Sequence, residues 1–305
     1  MTRGRLVLLV LLLAACAGVA TWHFTPEPWA ALMVRLECAR AGLTRHDTEI
    51  DGRRWRYYDR AGEGPPIVMV HGFGASAESF VRFAGALDGF PVIAVDLPGF
   101  GNSDDAADGD YRIAAQAERL HRFLAARGVA RYHLAGNSMG GAIAARLAHD
   151  HPGEVVTLLL LEPFGLGGLP PSERDRLLAK GENVLVPKND AEFERMLDFG
   201  MSDRPWIPGP LLAVQRARYF ARREMLDEIW SQVHAEAGFL DPLLPEITMP
   251  TLVIWGDSNK IFDSSGAERI ARGVKLGTYH VMAGTGHVPQ LEKPAEVAAF
   301  YRTIL

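Results

Sequence analysis

The stretch Gly136-Asn137-Ser138-Met139-Gly140 decides how the chain folds. The run Tyr132-His133-Leu134-Ala135 precedes it, and Ala142-Ile143-Ala144-Ala145-Arg146-Leu147-Ala148 follows. This pattern predicts a strand, a tight turn and a helix, with a serine at the turn. A serine so placed takes a strained backbone conformation that lifts its hydroxyl into a cleft above a sheet. Gly136 and Gly140 suit positions where a side chain would crowd the turn, and Gly141 lets the helix approach the strand. The N–H of Met139 falls at the helix N-terminus, where it can meet negative charge developing on a substrate oxygen. The competing reading is a surface loop that happens to carry glycine and serine. The strand before it and the helix after it favour a nucleophile.

The same alternation extends in both directions. Upstream, Thr44 to Asp59 reads as a hairpin turning at Asp51-Gly52. Ile67-Val68-Met69-Val70 and Val92-Ile93-Ala94-Val95 are apolar runs of the kind buried on both faces of a sheet. Helices are expected near residues 79–87 and 111–127. Downstream, residues 155–161, 251–255 and 279–282 supply further strands. Strands alternating with helices predict an α/β fold with a mostly parallel sheet covered on both faces, and a ligand site beyond the strands' carboxyl ends. Residues 163–249 break the alternation with helical pieces at 173–180, 192–199 and 211–234. They are expected to form a helical cap inserted between core segments 44–162 and 250–305. Met196, Leu197, Phe199, Met201, Trp206 and Ile207 would line an apolar entrance or form the insert's own small core.

Composition narrows the function classes. The chain has 305 residues, of which 48% are hydrophobic and 23% charged, with a net charge of −5. This is ordinary globular composition, without a basic face for nucleic acid. Two cysteines, Cys16 and Cys38, exclude a disulfide framework, and no Cys/His spacing suggests a metal or other cofactor.

Arg3 and Arg5 precede an apolar segment that runs from Leu6 to about Phe24. It fits a cleaved secretory signal, a lipoprotein signal ending at Leu13-Ala14-Ala15-Cys16, or an uncleaved membrane anchor. The apolar residues after Cys16 favour the anchor over the lipoprotein. Each reading puts the arginines inside and the rest of the chain on the non-cytoplasmic side, periplasmic or extracellular. Residues 25–43 are expected to form an amphipathic connecting helix, lying on a membrane or packed on the globular body.

From about Gly62 onward the chain resembles the α/β-hydrolase superfamily. The matching pieces are His71-Gly72-Phe73-Gly74, Asp96-Leu97-Pro98-Gly99-Phe100-Gly101-Asn102-Ser103, Gly136-Asn137-Ser138-Met139-Gly140-Gly141, Pro250-Thr251-Leu252-Val253-Ile254-Trp255-Gly256 and Gly284-Thr285-Gly286-His287. With its apolar N-terminus and the Ile261-Phe262-Asp263-Ser264-Ser265-Gly266-Ala267 run, it looks most like membrane-anchored monoacylglycerol lipases and bacterial lipases and esterases. The resemblance implies Ser138 as nucleophile, His287 as general base and acid, and the N–H groups of Phe73 and Met139 as an oxyanion hole. It implies a structural role for His71 and no triad role for Asp263.

The position where the family carries its acid is Asn259 here. An amide can orient an imidazole, but it cannot stabilise imidazolium by charge. Glu162, directly after the strand at 155–161, is the expected replacement acid, and Asp257 is the alternative. The leading expectation is a serine carboxylic-ester hydrolase acting on monoacylglycerol or other medium-chain lipid esters. Two alternatives remain: a carbon–carbon bond hydrolase of ring-fission diketones, and a non-catalytic fold that binds a hydrophobic ligand.

Overall fold

The structure, a computed structural model, describes residues 21–22 and 24–305. Residues 1–20, on which the anchor, signal and lipoprotein readings rest, lie outside the described residues. No helix among the described residues is long and apolar enough to cross a membrane.

Strands β1 (Thr44–Ile50), β2 (Arg53–Arg60), β3 (Ile67–Val70), β4 (Val92–Val95), β5 (Tyr132–Asn137), β6 (Val155–Leu161), β7 (Thr251–Gly256) and β8 (Gly277–Met282) pair into one sheet. Their order is β1-β2-β4-β3-β5-β6-β7-β8. The hairpin β1–β2 and the β2–β4 pair are antiparallel, and every pair from β4 to β8 is parallel. At the hairpin turn Asp51 and Gly52 both have positive φ, 53° and 70°, as a two-residue turn matching strand twist requires. Facing residues Asp47 and Arg56 close the pair with two hydrogen bonds of 2.8 Å each.

The chain reverses direction across the sheet at β3. It leaves β3 for β4 on one side and returns to β5 on the other, and a crevice opens between the loops at such a switch point. β3 and β5 are buried along their whole length, and residues alternate between two cores. Val68, Val70, Leu158 and Leu160 face one core; Ile67, Met69, Leu159 and Leu161 face the other. The first core is covered by α3 (Ile113–Ala126), α4 (Met139–Asp150) and α9 (Ser265–Gly273), and the second by α2 (Val81–Ala86) and α11 (Pro294–Tyr301), which follows the short helix α10 (Pro289–Glu292). Each leucine buried in this way contributes roughly 1.5–3 kcal/mol, so strand register and burial reinforce one another.

Residues 163–250, between β6 and β7, contain α5 (Glu173–Leu178), α6 (Asp190–Gly200), α7 (Gly209–Ala221) and α8 (Arg223–His234). The helix expected over 211–234 is two helices. Arg222 leaves helical geometry at φ −112°, ψ 13°, and its guanidinium reaches Gly99 O at 3.1 Å and the Asp105 carboxylate. A tertiary contact thus breaks a run that local propensity would continue. The helix expected near 79–87 begins as a 3-10 turn at Ala77–Phe80, where the Ala77 N–H is held by the buried Asp96 carboxylate at 2.7 Å.

The N-terminal helix α1 (Pro26–Arg40) packs against α7, α2 and β1. Its apolar residues do not share one face. Ala30 and Cys38 are buried, while Leu32 and Leu36 are exposed.

Candidate active site

Ser138 sits between β5 and α4 with φ 54° and ψ −118°, a conformation that L-residues rarely adopt. Strain of this kind costs on the order of 1–3 kcal/mol and persists only where surrounding bonds determine it. Three such bonds hold the residue. Its N–H donates to Leu161 O at 2.9 Å, and its carbonyl accepts from the N–H groups of Ala142 and Phe164 at 3.0 Å each. Glycines are required around it: a Cβ on Gly136 would lie 2.2 Å from Gly140 O, and one on Gly140 would lie 2.2 Å from Val70 O. The N–H of Met139 opens α4 and has no intrahelical acceptor. The N–H of Phe73, in the loop after β3, has no hydrogen-bond acceptor among the described residues.

Asn137 ties this turn to the loop after β8. Its amide donates to Leu161 O at 3.1 Å and to His287 O at 3.0 Å. The His287 loop is fastened at two further points. The His287 N–H donates to Gly200 O at 2.7 Å. The Glu292 carboxylate accepts from Gly286 N at 3.0 Å, Ser202 N at 2.8 Å and Asp203 N at 2.9 Å. Sequence reasoning missed Glu292, since one glutamate in a short helix carries no signal until folding gathers these three donors around it.

His287 Nδ1 lies 2.8 Å from Oε2 of Glu162, and both side chains are buried, Glu162 completely. Glu162 follows β6 with φ 49°, so this carboxylate too stands on a strained residue at a strand tip. Its other oxygen, Oε1, accepts the Gly256 N–H at 2.6 Å, and the amide of Asn259 donates to Oε2. Burial pushes the Glu162 pKa up, and the Gly256 N–H and Asn259 amide act against it. Burial, with a smaller push from the Arg174 guanidinium, holds His287 well below the ordinary histidine range. Its ring is therefore neutral near pH 7 and able to accept a proton.

Asp257 turns away from the imidazole. Its Oδ1 accepts from Ser258 Oγ and Gly284 N at 2.8 Å each, on the exposed side of the loop. Asp263 holds the Ser265 N–H and hydroxyl at the start of α9. His71 is enclosed: Nδ1 meets Gly72 O at 2.8 Å, and Nε2 accepts the Leu97 N–H at 3.1 Å. Burial lowers its pKa to about 4, so it serves as a neutral brace between two loops.

A cavity of about 270 Å³ opens from His287 and Phe73 under residues 185–226. Met196, Leu197, Met201 and Ile207 line it as expected. Phe199 instead packs into the core, with the Lys260 ammonium 5.7 Å over its ring, and Trp206 is 76% exposed. Sequence reasoning did not anticipate that Val34 and Glu37 of α1 join the lining. Glu37 is paired with Arg82 at 2.9 Å, and Arg82 also donates to Trp206 O at 3.2 Å.

Residues 65–294 match the family model for the alpha/beta hydrolase fold. Lipase 1 of Psychrobacter immobilis is 34% identical over 243 residues, covering 78% of this chain and 76% of the relative. A monoacylglycerol lipase of Xenopus laevis is 27% identical over 256 residues, with 78% and 74% covered. The crystal structure of a membrane phospholipase A, described as a bacterial virulence factor, is similar with a TM-score of 0.89 at 37% identity. The match covers 99% of this chain and 98% of that one.

The crowding at the turn has a measurable consequence. Gly140→Ala would press a methyl group against Val70 O and His71 O, whereas Gly153→Ala meets nothing within 4 Å. Overpacking of this kind costs about 1–3 kcal/mol. Calorimetry should show a lower Tm for Gly140→Ala, by about 2–4 °C per kcal/mol, and little change for Gly153→Ala. Equal melting temperatures would mean that the turn is not close-packed.

Proposed function

The chain belongs to the α/β-hydrolase family and is a carboxylic-ester hydrolase of the lipase and esterase type; from that membership we propose that Ser138, His287 and Glu162 form its catalytic triad. The reading is carried by the 2.8 Å contact between His287 and the fully buried Glu162, with the strained serine turn tied to the His287 backbone through Asn137. Ser138 Oγ attacks the ester carbonyl while His287 Nε2 takes its proton. The carbonyl oxygen becomes an oxyanion held by the Phe73 and Met139 N–H groups. The imidazolium then protonates the leaving alcohol, and an acyl-enzyme remains on Ser138. Water repeats the sequence and releases the acid.

Glu162 keeps the Nδ1 proton aimed and stabilises the imidazolium by charge. In a serine-protease triad, replacing the carboxylate with an amide costs about 10⁴ in turnover, roughly 5.5 kcal/mol. An amide at Asn259 would by itself suit a non-catalytic fold, but the Glu162 carboxylate on the neighbouring strand tip reaches the ring, which favours the catalytic reading.

The substrate in this proposal is an ester with one medium-length acyl chain, such as a monoacylglycerol. Two observations support it: the apolar cavity beside His287 and the monoacylglycerol lipases among the relatives. Residues 163–249 act as a cap over the strand ends. The arginine-flanked apolar N-terminus is a membrane anchor that holds the catalytic domain on the non-cytoplasmic side. The packing of α1 on α7, with two α1 residues in the cavity wall, supports an active site close to that anchor.

Ser138→Ala should abolish hydrolysis of a p-nitrophenyl ester and labelling by a fluorophosphonate while leaving the Tm within a few degrees. Retained labelling would place the nucleophile elsewhere. Glu162→Gln should lower kcat by about 10³–10⁴ and Asp257→Asn by less than about tenfold; the reverse ranking would remove Glu162 from the triad. In an ester series of graded length, each buried methylene is worth about 0.8 kcal/mol, close to fourfold in kcat/KM, until the cavity is full. A series with no dependence on length would mean that the acyl chain does not enter the cavity.

A further inference from the structure

At the end of the sheet opposite Ser138, two pairs of metal-ligating side chains face each other. Glu118 and His121 lie three positions apart on α3, which puts them on one face of that helix. His151 and Glu154 are spaced the same way in the turn between α4 and β6. Folding stacks the two imidazoles, with ring centroids 3.7 Å apart and planes inclined by 15°. Ligand atoms of Glu118, His121 and His151 all lie within 4.8 Å of one another. Glu154 closes the group: its Oε1 is 3.2 Å from His121 Nε2 and 3.9 Å from His151 Nδ1. No linear spacing announces this group, because its two halves meet only when α3 packs beside α4.

We propose that Glu118, His121, His151 and Glu154 form a structural site for a divalent transition ion of the zinc type. The donor set fits: imidazole nitrogens and carboxylate oxygens bind zinc at about 2.0–2.2 Å, four at a time in a tetrahedron. Donors so placed are about 3.4 Å apart, between the two distances that Glu154 Oε1 makes to the imidazole nitrogens. Two carboxylates and two imidazoles in their ligating forms carry two negative charges, which a divalent ion cancels. Imidazole donors select against calcium and magnesium, which take oxygen ligands. An ion must lie near the plane of each ring that binds it, so the stack opens into a wedge on binding. Both rings are only partly buried, which leaves them room to turn. Little holds the carboxylates elsewhere: Glu118 has Arg122 Nε at 3.9 Å, and Glu154 Oε2 has the Tyr132 hydroxyl at 3.3 Å.

The ion's role follows from its place. Glu154 directly precedes β6 and Glu162 directly follows it, so at ~3.3 Å per residue the cluster lies about 25 Å from Glu162. Four protein ligands leave no open position for a substrate. The ion therefore clamps α3 to the turn that starts β6, and it adds stability without entering the reaction.

The test uses the full chain in detergent, stripped with EDTA and dialysed. Zn2+ at about a hundred times its Kd should raise the Tm by about 5 °C. The rise should persist in His149→Gln, a neighbouring histidine paired with Asp150 and Glu246 outside the cluster, and vanish in His121→Gln/His151→Gln. Co2+ in place of Zn2+ should give the intense visible absorption of a four-coordinate ion in wild type and lose it in the double variant. No Tm rise in wild type, a rise that survives in the double variant, or an equal rise with Ca2+ would overturn the site. Ester hydrolysis by the metal-free double variant should match metal-free wild type; a loss there would overturn the purely structural role. If the double variant does not fold, Glu118→Gln, at an exposed side chain, takes its place. Its Co2+ affinity should fall by at least about tenfold, and an unchanged affinity would overturn the site.

Discussion

A carboxylate sealed from solvent keeps its charge only where donors replace the water it has lost. The loops at the carboxyl ends of β6, β7 and β8 are arranged around that demand at Glu162. Removing an ion from water costs several kcal/mol even after the protein relaxes. Gly256, Asn259 and His287 each return a hydrogen bond to it, and bonds to a charged acceptor are worth about 1.5–3 kcal/mol apiece. The Gly256 donor comes from the end of a strand, Asn259 from the loop beyond it, and His287 from the loop after the next strand. Their convergence depends on three neighbouring parallel strands ending at the same edge.

The serine turn solves a related problem. Its φ of 54° stores strain, and the bonds that hold it come from parts of the chain the site also uses. Leu161 O, which receives the Ser138 N–H, immediately precedes Glu162, and it also receives the Asn137 amide. That amide reaches the His287 carbonyl as well. The backbone at 138, 162 and 287 is therefore one connected network, and moving any of the three disturbs the other two.

The helical segment above the strand ends is coupled to the same network. Tyr219 of α7 sits so close to Gly74, beside the Phe73 N–H, that a Cβ there would lie 1.9 Å from its hydroxyl. Gly200 and the N–H groups of Ser202 and Asp203 bind the His287 loop directly and through Glu292. The walls of the cavity and the groups beside its closed end are thus held by shared contacts. Val34 and Glu37 extend this coupling to α1, the first helix after the apolar N-terminus.

The layered fold is legible from residue order alone, because buried parallel strands must be continuous apolar runs and the Gly136–Gly140 pattern leaves room only for a tight strand-to-helix turn. Residue order also pointed to Ser138 and His287, whose signals lie in short local motifs. It left the acid open between Glu162 and Asp257, since a carboxylate's direction depends on loop dihedrals that no local pattern specifies. Only the tertiary structure brought Glu162 to the imidazole and turned Asp257 toward Gly284. It alone split the 211–234 helix at Arg222, whose guanidinium bonds to residues more than a hundred positions away. Glu292 and the α1 residues in the cavity wall were invisible for the same reason. Their roles consist of contacts between distant segments, and such contacts exist only once the chain has closed on itself.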